Sequence, residues 1–306
     1  MKTVHRRSPL RALAATVAAA ALGLAATALP AAAAQPAPPP APAQLYPRTG
    51  IVPLRTGSPG AAAVLPSDAP ADGLRYRSGP LAKAPKVYLD FWGSQWYADD
   101  PAENAAEGYL QGLFLGLGSS NDTWSTITSQ YAGADGSAPV FDGPVLAGVL
   151  VDSRGPAPAR SEQPDIAAEA QYAAQYFGVS GPDVDIVVVS PSGTHPDAFP
   201  DHGFCAWHSW TGSVAYTNLP FLPDVGSLCG AGTVQGPMDG FGIVAGHEYA
   251  EAITDPVPFS GWTDPNYQEI GDLCAWSGLA MVGLGPWRFP MQPLYSNRAG
   301  GCVLSS

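Results

Sequence analysis

Three ionisable side chains stand close together in one segment of the chain, where His247, Glu248 and Glu251 form the pattern H-E-x-x-E. On a helix, His247 and Glu251 would share one face, because residues four positions apart are neighbours there. The pattern differs by one residue from H-E-x-x-H, in which two histidines bind zinc and the intervening glutamate activates a water molecule. Since carboxylate oxygen also binds zinc, the sequence predicts a Zn²⁺ site with Glu248 as the general base.

Two residues elsewhere in the chain compete to be the third metal ligand. Glu269 follows Glu251 by 18 positions, and zinc peptidases often take a third carboxylate from a second helix at about this spacing. Asp272, three residues further on, is placed to orient a ligand imidazole by a hydrogen bond. His208 is the alternative ligand, or a group that stabilises the oxyanion of a tetrahedral intermediate. The spacing favours Glu269, and the tryptophans on both sides of His208 favour a substrate wall there.

The segment 239–254, which carries the pattern, predicts one long helix that ends at Asp255-Pro256. A stripe of small and apolar residues lies beside the metal-binding face and should pack on the core. The stripe consists of Ile243, Gly246, Ala250 and Ile253.

The elements before this helix alternate between strands and helices. Apolar strands are predicted over 87–92, 145–151 and 185–190, with helices from Pro101 and over 164–177. Strand–helix–strand order with apolar strands indicates crossover connections. We therefore expect an α/β fold with a partly parallel sheet, crossover helices and a zincin-like active-site helix. An irregular C-terminal part that contains disulfides should follow the crossover units.

Three regions divide the chain. Residues 1–34 combine a basic start, an apolar run and a small-residue cleavage site, which is the pattern of a signal peptide. Residues 35–85 are rich in Pro, Ala and Gly, and predict a linker or a short pro-segment. Residues 86–306 should form a single folded domain. The chain is therefore expected to be secreted and extracellular, with no membrane association after signal cleavage.

The charge balance argues against one class of partner. The chain has 14 Lys and Arg against 26 Asp and Glu, for a net charge of −12. Such an acidic protein is repelled by phosphate backbones, so a nucleic-acid partner is not expected. A peptide or a component of the cell wall remains as a possible substrate.

Four cysteines, Cys205, Cys229, Cys274 and Cys302, lie in the last third of the chain. An even number in an exported protein predicts two disulfides, and three pairings are possible. We expect Cys205–Cys229 and Cys274–Cys302, because each of these bonds closes a short loop next to a candidate ligand segment.

The residues around the motif resemble the plant EXORDIUM (phosphate-induced) protein family and its secreted bacterial relatives. The resemblance rests on MDGFGIVAGHEYAEAITDP followed by EIGDLCAW, and extends to VYLDFWG, FCAWHSW and RFPMQPLYSNRAGGC. It covers about residues 87–302 and is strongest over 239–274. The chain departs from the family pattern at Asp255, where Asn is usual, in one missing cysteine, and in a short loop after DLC. The family implies an extracellular protein linked to growth, without a catalytic activity to transfer.

Two functions follow from these observations. The first is a secreted zinc-dependent hydrolase, with a peptidase as the leading interpretation, in which His247, Glu251 and Glu269 bind zinc. The second is a non-enzymatic extracellular cell-wall or glycan-binding protein of the EXORDIUM type. Eight tryptophans would suit the second, because aromatic rings stack on sugars.

Overall fold

The computed structural model describes residues 45–55 and 73–306, which contain fourteen strands, three α-helices and four short 3₁₀ helices. The strands are β1 (Thr49–Pro53), β2 (Arg75–Tyr76), β3 (Lys86–Phe91), β4 (Leu146–Val151), β5 (Arg160–Ser161), β6 (Val184–Val189), β7 (His195–Pro196), β8 (Phe204–Trp210), β9 (Ala215–Leu219), β10 (Trp262–Thr263), β11 (Ala280–Leu284), β12 (Trp287–Met291), β13 (Leu294–Ser296) and β14 (Gly301–Val303). The α-helices are α1 (Pro101–Gly116), α2 (Gln163–Phe177) and α3 (Asp239–Thr254). Short 3₁₀ helices span Ser94–Tyr97, Ser125–Gln130, Leu222–Cys229 and Asp272–Cys274.

Six strands form the central sheet in the order β1-β8-β9-β6-β3-β4. The four strands β4, β3, β6 and β9 are parallel to one another, whereas β8 pairs antiparallel with both β9 and β1. The helices α1 and α2 follow β3 and β4 in the chain, as crossover connections require. The prediction of an α/β fold with a partly parallel sheet is therefore confirmed. The remaining strands pair in twos as β2–β10, β5–β7, β11–β12 and β13–β14.

The predicted long helix is confirmed as α3, but its surroundings differ from the expectation of one apolar stripe. All of its residues are buried. The helix packs against β1, β8, β9, β12 and α1, so neighbours surround it on every side. Two glycines permit the approach of β12, because a Cβ at Gly242 would lie 2.4 Å from the Pro290 carbonyl oxygen and one at Gly246 would lie 2.5 Å from Met291 Cε. Ionisable groups on such a helix need partners inside the protein.

The fold includes two parts of the predicted linker 35–85. The predicted start of the folded domain at residue 86 is therefore too late. Residues 49–53 form β1 at the edge of the central sheet, and Val52 is fully buried. Residues 75–76 form β2, which pairs with β10. No periodic signal marks these two strands, because both are short and β1 contains Gly50 and Pro53. The predicted signal peptide and the rest of the linker lie outside the described residues.

Both predicted disulfides are confirmed. Cys205 bonds to Cys229 and Cys274 bonds to Cys302, closing loops with sequence separations of 24 and 28 residues. Two disulfides suggest an extracellular or otherwise oxidising environment. Within residues 45–55 and 73–306, none of the helices has the length and apolar character that crossing a membrane requires.

Candidate metal centre

Three separate elements bring six ionisable side chains together in the interior. We call this set the histidine–carboxylate cluster; it consists of His208, His247, Glu248, Glu251, Glu269 and Asp272. The helix α3 supplies three members, β8 supplies His208, and the turn around the last 3₁₀ helix supplies the other two. Both histidines and all three glutamates are fully buried. The structure thus gathers every residue that the motif analysis selected.

One half of the cluster surrounds His208. Its Nδ1 lies 3.2 Å from Glu248 Oε2 and 3.9 Å from Glu251 Oε2. Its Nε2 lies 3.6 Å from Glu269 Oε1 and 3.3 Å from the Asp255 carbonyl oxygen. Strand β8 thus presents His208 to the helix that carries the motif. The predicted substrate wall does not form here, because every residue of β8 is buried.

The other half surrounds His247, whose Nε2 lies 3.0 Å from Glu251 Oε1 and 3.6 Å from Asp272 Oδ1. Glu251 Oε1 accepts hydrogen bonds from the backbone N–H groups of Gly271 and Asp272, at 3.0 and 2.9 Å. These bonds fix the carboxylate of Glu251 at the boundary between the two halves.

Two groups of side chains have ligand atoms that all lie within 4.8 Å of one another, as one metal ion requires. The first is His208, Glu248 and Glu251, and the second is His247, Glu251 and Asp272. The predicted combination of His247 and Glu251 with Glu269 is neither of these groups, because Glu269 lies beside His208. A second helix carrying Glu269 is also not present, since the turn there is a single 3₁₀ segment from Asp272 to Cys274.

Several atoms of the cluster have no hydrogen-bond partner although they are buried. They are Nδ1 and Nε2 of His247, Oε1 of Glu248, Oε2 of Glu251 and Oε1 of Glu269. Among the described residues, the recorded ion pairs of these carboxylates involve only the two histidines, without Lys or Arg. Buried carboxylates without a cation are costly. The donor set, imidazole nitrogen with carboxylate oxygen, is one that Zn²⁺ binds, so the residues fit the metal.

Burial dominates the ionisation of the cluster. It raises the pKa of Glu251 to about 7, and it raises the pKa values of Glu248 and Glu269 well above their ordinary value. It also lowers the pKa of His208 to about 4, which leaves that imidazole neutral at pH 7. For His247, burial lowers the pKa, but attraction to the Glu251 carboxylate and the nearby Asp272 carboxylate outweighs it, so the pKa is raised well above its ordinary value. A divalent cation would favour the charged carboxylates that burial disfavours.

Sequence reasoning missed three residues that complete the surroundings of the cluster. Thr49 Oγ1 donates a hydrogen bond to Glu269 Oε2. Gly50 has a φ of 58° and lies so close that a Cβ there would be 2.1 Å from Glu251 Oε2. Asp255 accepts hydrogen bonds from the N–H groups of residues 259, 260 and 261, which hold the turn after α3. The Asp at position 255 was visible in the sequence, but only as the end of a helix.

Most of the tryptophans that suggested an aromatic platform are buried in the structure. Five tryptophans, Trp92, Trp96, Trp124, Trp207 and Trp210, are buried. Among the other three, Trp287 is 43 % exposed, and Trp262 and Trp276 are half-buried. A cavity of about 470 Å³ lies between Tyr76, Lys83 and Asp135, and no member of the cluster lines it.

Comparisons of the chain with known protein families, with curated proteins and with solved structures found no match. Membership of the EXORDIUM family therefore stays a prediction from the sequence motifs. The chemistry of the histidine–carboxylate cluster is the remaining basis for a function.

Proposed function

We propose that the chain is an extracellular zinc-dependent hydrolase that acts on peptides. The observation that supports it most is the burial of three glutamates and two histidines with unpartnered ligand atoms. Isolated buried carboxylates cost several kcal/mol each. A bound cation would offset this cost, and the donor set suits zinc.

His247, Glu251 and Asp272 are the proposed zinc ligands, because their ligand atoms form one of the two close groups and two of them belong to the motif. When bound, zinc would polarise a substrate carbonyl and lower the pKa of a water molecule towards neutrality. Asp272 is the member that is not fully buried, with 18 % of its side chain exposed. Its position offers a direction from which solvent can approach the site.

Glu248 is the proposed general base. It projects from α3 beside the ligands, and its Oε2 lies 3.2 Å from His208 Nδ1, while its Oε1 is free. The raised pKa of Glu248 suits a group that takes a proton near neutral pH and then gives it to a leaving amine. His208 orients the carboxylate of Glu248. Because its imidazole is neutral, it places no positive charge beside the metal.

Loss and recovery of hydrolysis test this function. The secreted protein should cleave a fluorescent, unfolded protein substrate, lose that activity in a strong chelator, and regain it with added Zn²⁺. Turnover should be slow, since two carboxylate ligands leave zinc less electrophilic than two imidazoles do. Hydrolysis that persists in the chelator would contradict a metal-dependent reaction.

The second candidate is a non-enzymatic extracellular protein that binds cell-wall material or glycans. The complete burial of the two histidines and three glutamates favours it, because a substrate cannot touch fully buried groups without a change in the structure. On this view, the metal site would only stabilise the fold. Absence of hydrolysis, together with binding to isolated cell-wall polysaccharide, would select this candidate.

A further inference from the structure

Strand β1 covers the histidine–carboxylate cluster, although it lies almost two hundred residues before the motif in the chain. Thr49 Oγ1 donates a hydrogen bond to Glu269 Oε2. At Gly50, a Cβ would lie 2.1 Å from Glu251 Oε2 and 2.4 Å from His208 Nδ1. The backbone of residue 50 therefore lies directly on atoms that a substrate or a metal would need to reach.

This strand also occupies an edge of the central sheet. It pairs antiparallel with β8, with Thr49 opposite His208 and Val52 opposite Ala206, while β9 pairs with the other side of β8. Without β1, the backbone N–H and C=O groups of β8 would be free along the cluster. A free strand edge binds an extended peptide through main-chain hydrogen bonds.

Contacts to backbone carbonyl oxygens help to hold β1 and the residue two positions before it. Ser209 Oγ donates to the carbonyl oxygen of Pro47 at 2.8 Å, and Trp276 Nε1 donates to that of Pro53 at 2.8 Å. Val52 is fully buried, whereas Ile51 is 46 % exposed. Recognition of backbone carbonyls with one apolar anchor is how a protein binds extended peptides of varied sequence.

We propose that β1 is an internal blocking strand, which occupies the edge of β8 where an extended peptide substrate binds. The inference rests on the proposed function for the identity of the substrate, but the blocking itself concerns only access to the cluster. Gly50 makes the block close, because a residue with a side chain could not lie so near to Glu251 and His208 in this conformation. Hydrolysis by the intact chain is therefore limited to molecules in which β1 has left the edge of β8, and the wild type should cleave more slowly than a chain whose β1 is displaced.

The first test measures the accessibility of His208 in the full secreted chain, in a chelator. Gly50→Ala places a methyl group against the cluster and should displace β1. Carbethoxylation of His208 by diethyl pyrocarbonate, followed by mass spectrometry, should then be faster by roughly tenfold or more. Gly193→Ala is the matched control, since Gly193 has a φ of 75° but open space around its Cβ position. It should leave His208 as protected as in the wild type.

The second test asks whether the vacated edge takes a peptide. A synthetic peptide with the sequence of residues 48–54 (RTGIVPL) is added to the Gly50→Ala protein. Protection of His208 should return, and a peptide in which the glycine is replaced by alanine should protect less. A failure of the first peptide to protect would overturn the assignment of β8 as a peptide-binding edge.

Val52→Ala serves where Gly50→Ala does not fold, because it loosens the buried anchor of β1 without a clash. Unchanged reactivity of His208 in whichever of the two variants folds would overturn the blocking strand. A reactive His208 with no hydrolysis after addition of zinc would support the blocking strand and reject the hydrolase. Equal hydrolysis by the wild type and the Gly50→Ala protein would reject the blocking strand and leave the hydrolase standing.

Discussion

Glu248 and Glu251 stand three residues apart on α3, yet their surroundings suit them to different chemistry. Glu251 Oε1 accepts two backbone hydrogen bonds and lies 3.0 Å from His247 Nε2, which orients it as a ligand. Glu248 contacts His208 and keeps one oxygen free. A free, partly oriented carboxylate beside a metal is suited to take a proton from water.

We predict that Glu248→Gln removes hydrolysis and keeps the zinc. Loss of a general base costs about 10²- to 10⁴-fold in rate, while the amide retains the size of the carboxylate. Rates and metal content of the purified variant are measured beside those of Glu107→Gln, a change on α1 at a residue whose side chain accepts a hydrogen bond from Gln111. A variant that loses zinc together with activity would instead place Glu248 among the ligands, in the group with His208.

Glu269 and Asp272 are the two candidates for the third zinc ligand. The sequence spacing favours Glu269, but the distances favour Asp272, since Asp272 Oδ1 lies 3.6 Å from His247 Nε2 and Glu269 lies beside His208. Zinc titration at neutral pH should therefore show that Asp272→Ala lowers the affinity for zinc. The loss should exceed the roughly 10- to 100-fold expected for a residue that only orients a ligand. Glu269→Ala and His208→Ala should lower the affinity for zinc less than Asp272→Ala does. The reverse order would restore Glu269 or His208 as the ligand.

At the scale of elements, the packing of α3 requires β12 to approach it closely. A Cβ at Gly242 would lie 2.4 Å from the carbonyl oxygen of Pro290, which is backbone and cannot move aside cheaply. Gly108 on α1 has the opposite surroundings, with open space at its Cβ position. The two glycines therefore differ in what an added methyl group meets.

We predict that Gly242→Ala lowers the free energy of unfolding by about 1–3 kcal/mol through overpacking. Gly108→Ala should raise it by about 0.5–1 kcal/mol, because alanine is the better helix former in an exposed position. Urea denaturation of both variants measures the difference. A Gly242→Ala protein as stable as the wild type would show that β12 shifts without cost.

Local sequence patterns predicted the elements that have an apolar run or an apolar stripe. They missed the elements whose position depends on distant parts of the chain. The strand β6 carries a nearly continuous apolar run and the helix α3 carries an apolar stripe at helical spacing, so their positions were predictable from sequence. The strand β1 contains five residues, and its place is set by pairing with β8 about 150 positions later. In the same way, helical spacing pairs His247 with Glu251, whereas the turn that brings in Asp272 has no periodic signal.

At the scale of the whole molecule, buried acids outside the cluster make stability depend on pH. Asp185 in β6 is buried, and burial raises its pKa from 3.8 to about 7, although Thr217 donates a hydrogen bond to it. The folded chain keeps this proton at pH values where the unfolded chain has lost it. The free energy of unfolding contributed by Asp185 therefore falls as the pH rises from about 4 to about 7.

Asp185→Asn should remove this decrease in the free energy of unfolding at higher pH. At about pH 7.5 the variant should be more stable than the wild type by on the order of 1–3 kcal/mol, and at about pH 4 the two should be similar. Thermal denaturation across this range measures the effect, with the exposed Asp142→Asn as the control. Parallel pH profiles for the wild type and Asp185→Asn would show that Asp185 is ionised in the fold.

The central claim is that the buried cluster holds one zinc ion, and elemental analysis of the purified secreted protein tests it most directly. The wild type should contain about one zinc per chain, and Glu251→Ala should contain almost none, because Glu251 belongs to both close groups of ligand atoms. Glu107→Ala should match the wild type. A wild-type chain that binds no zinc, even after unfolding and refolding with excess Zn²⁺, would contradict the claim.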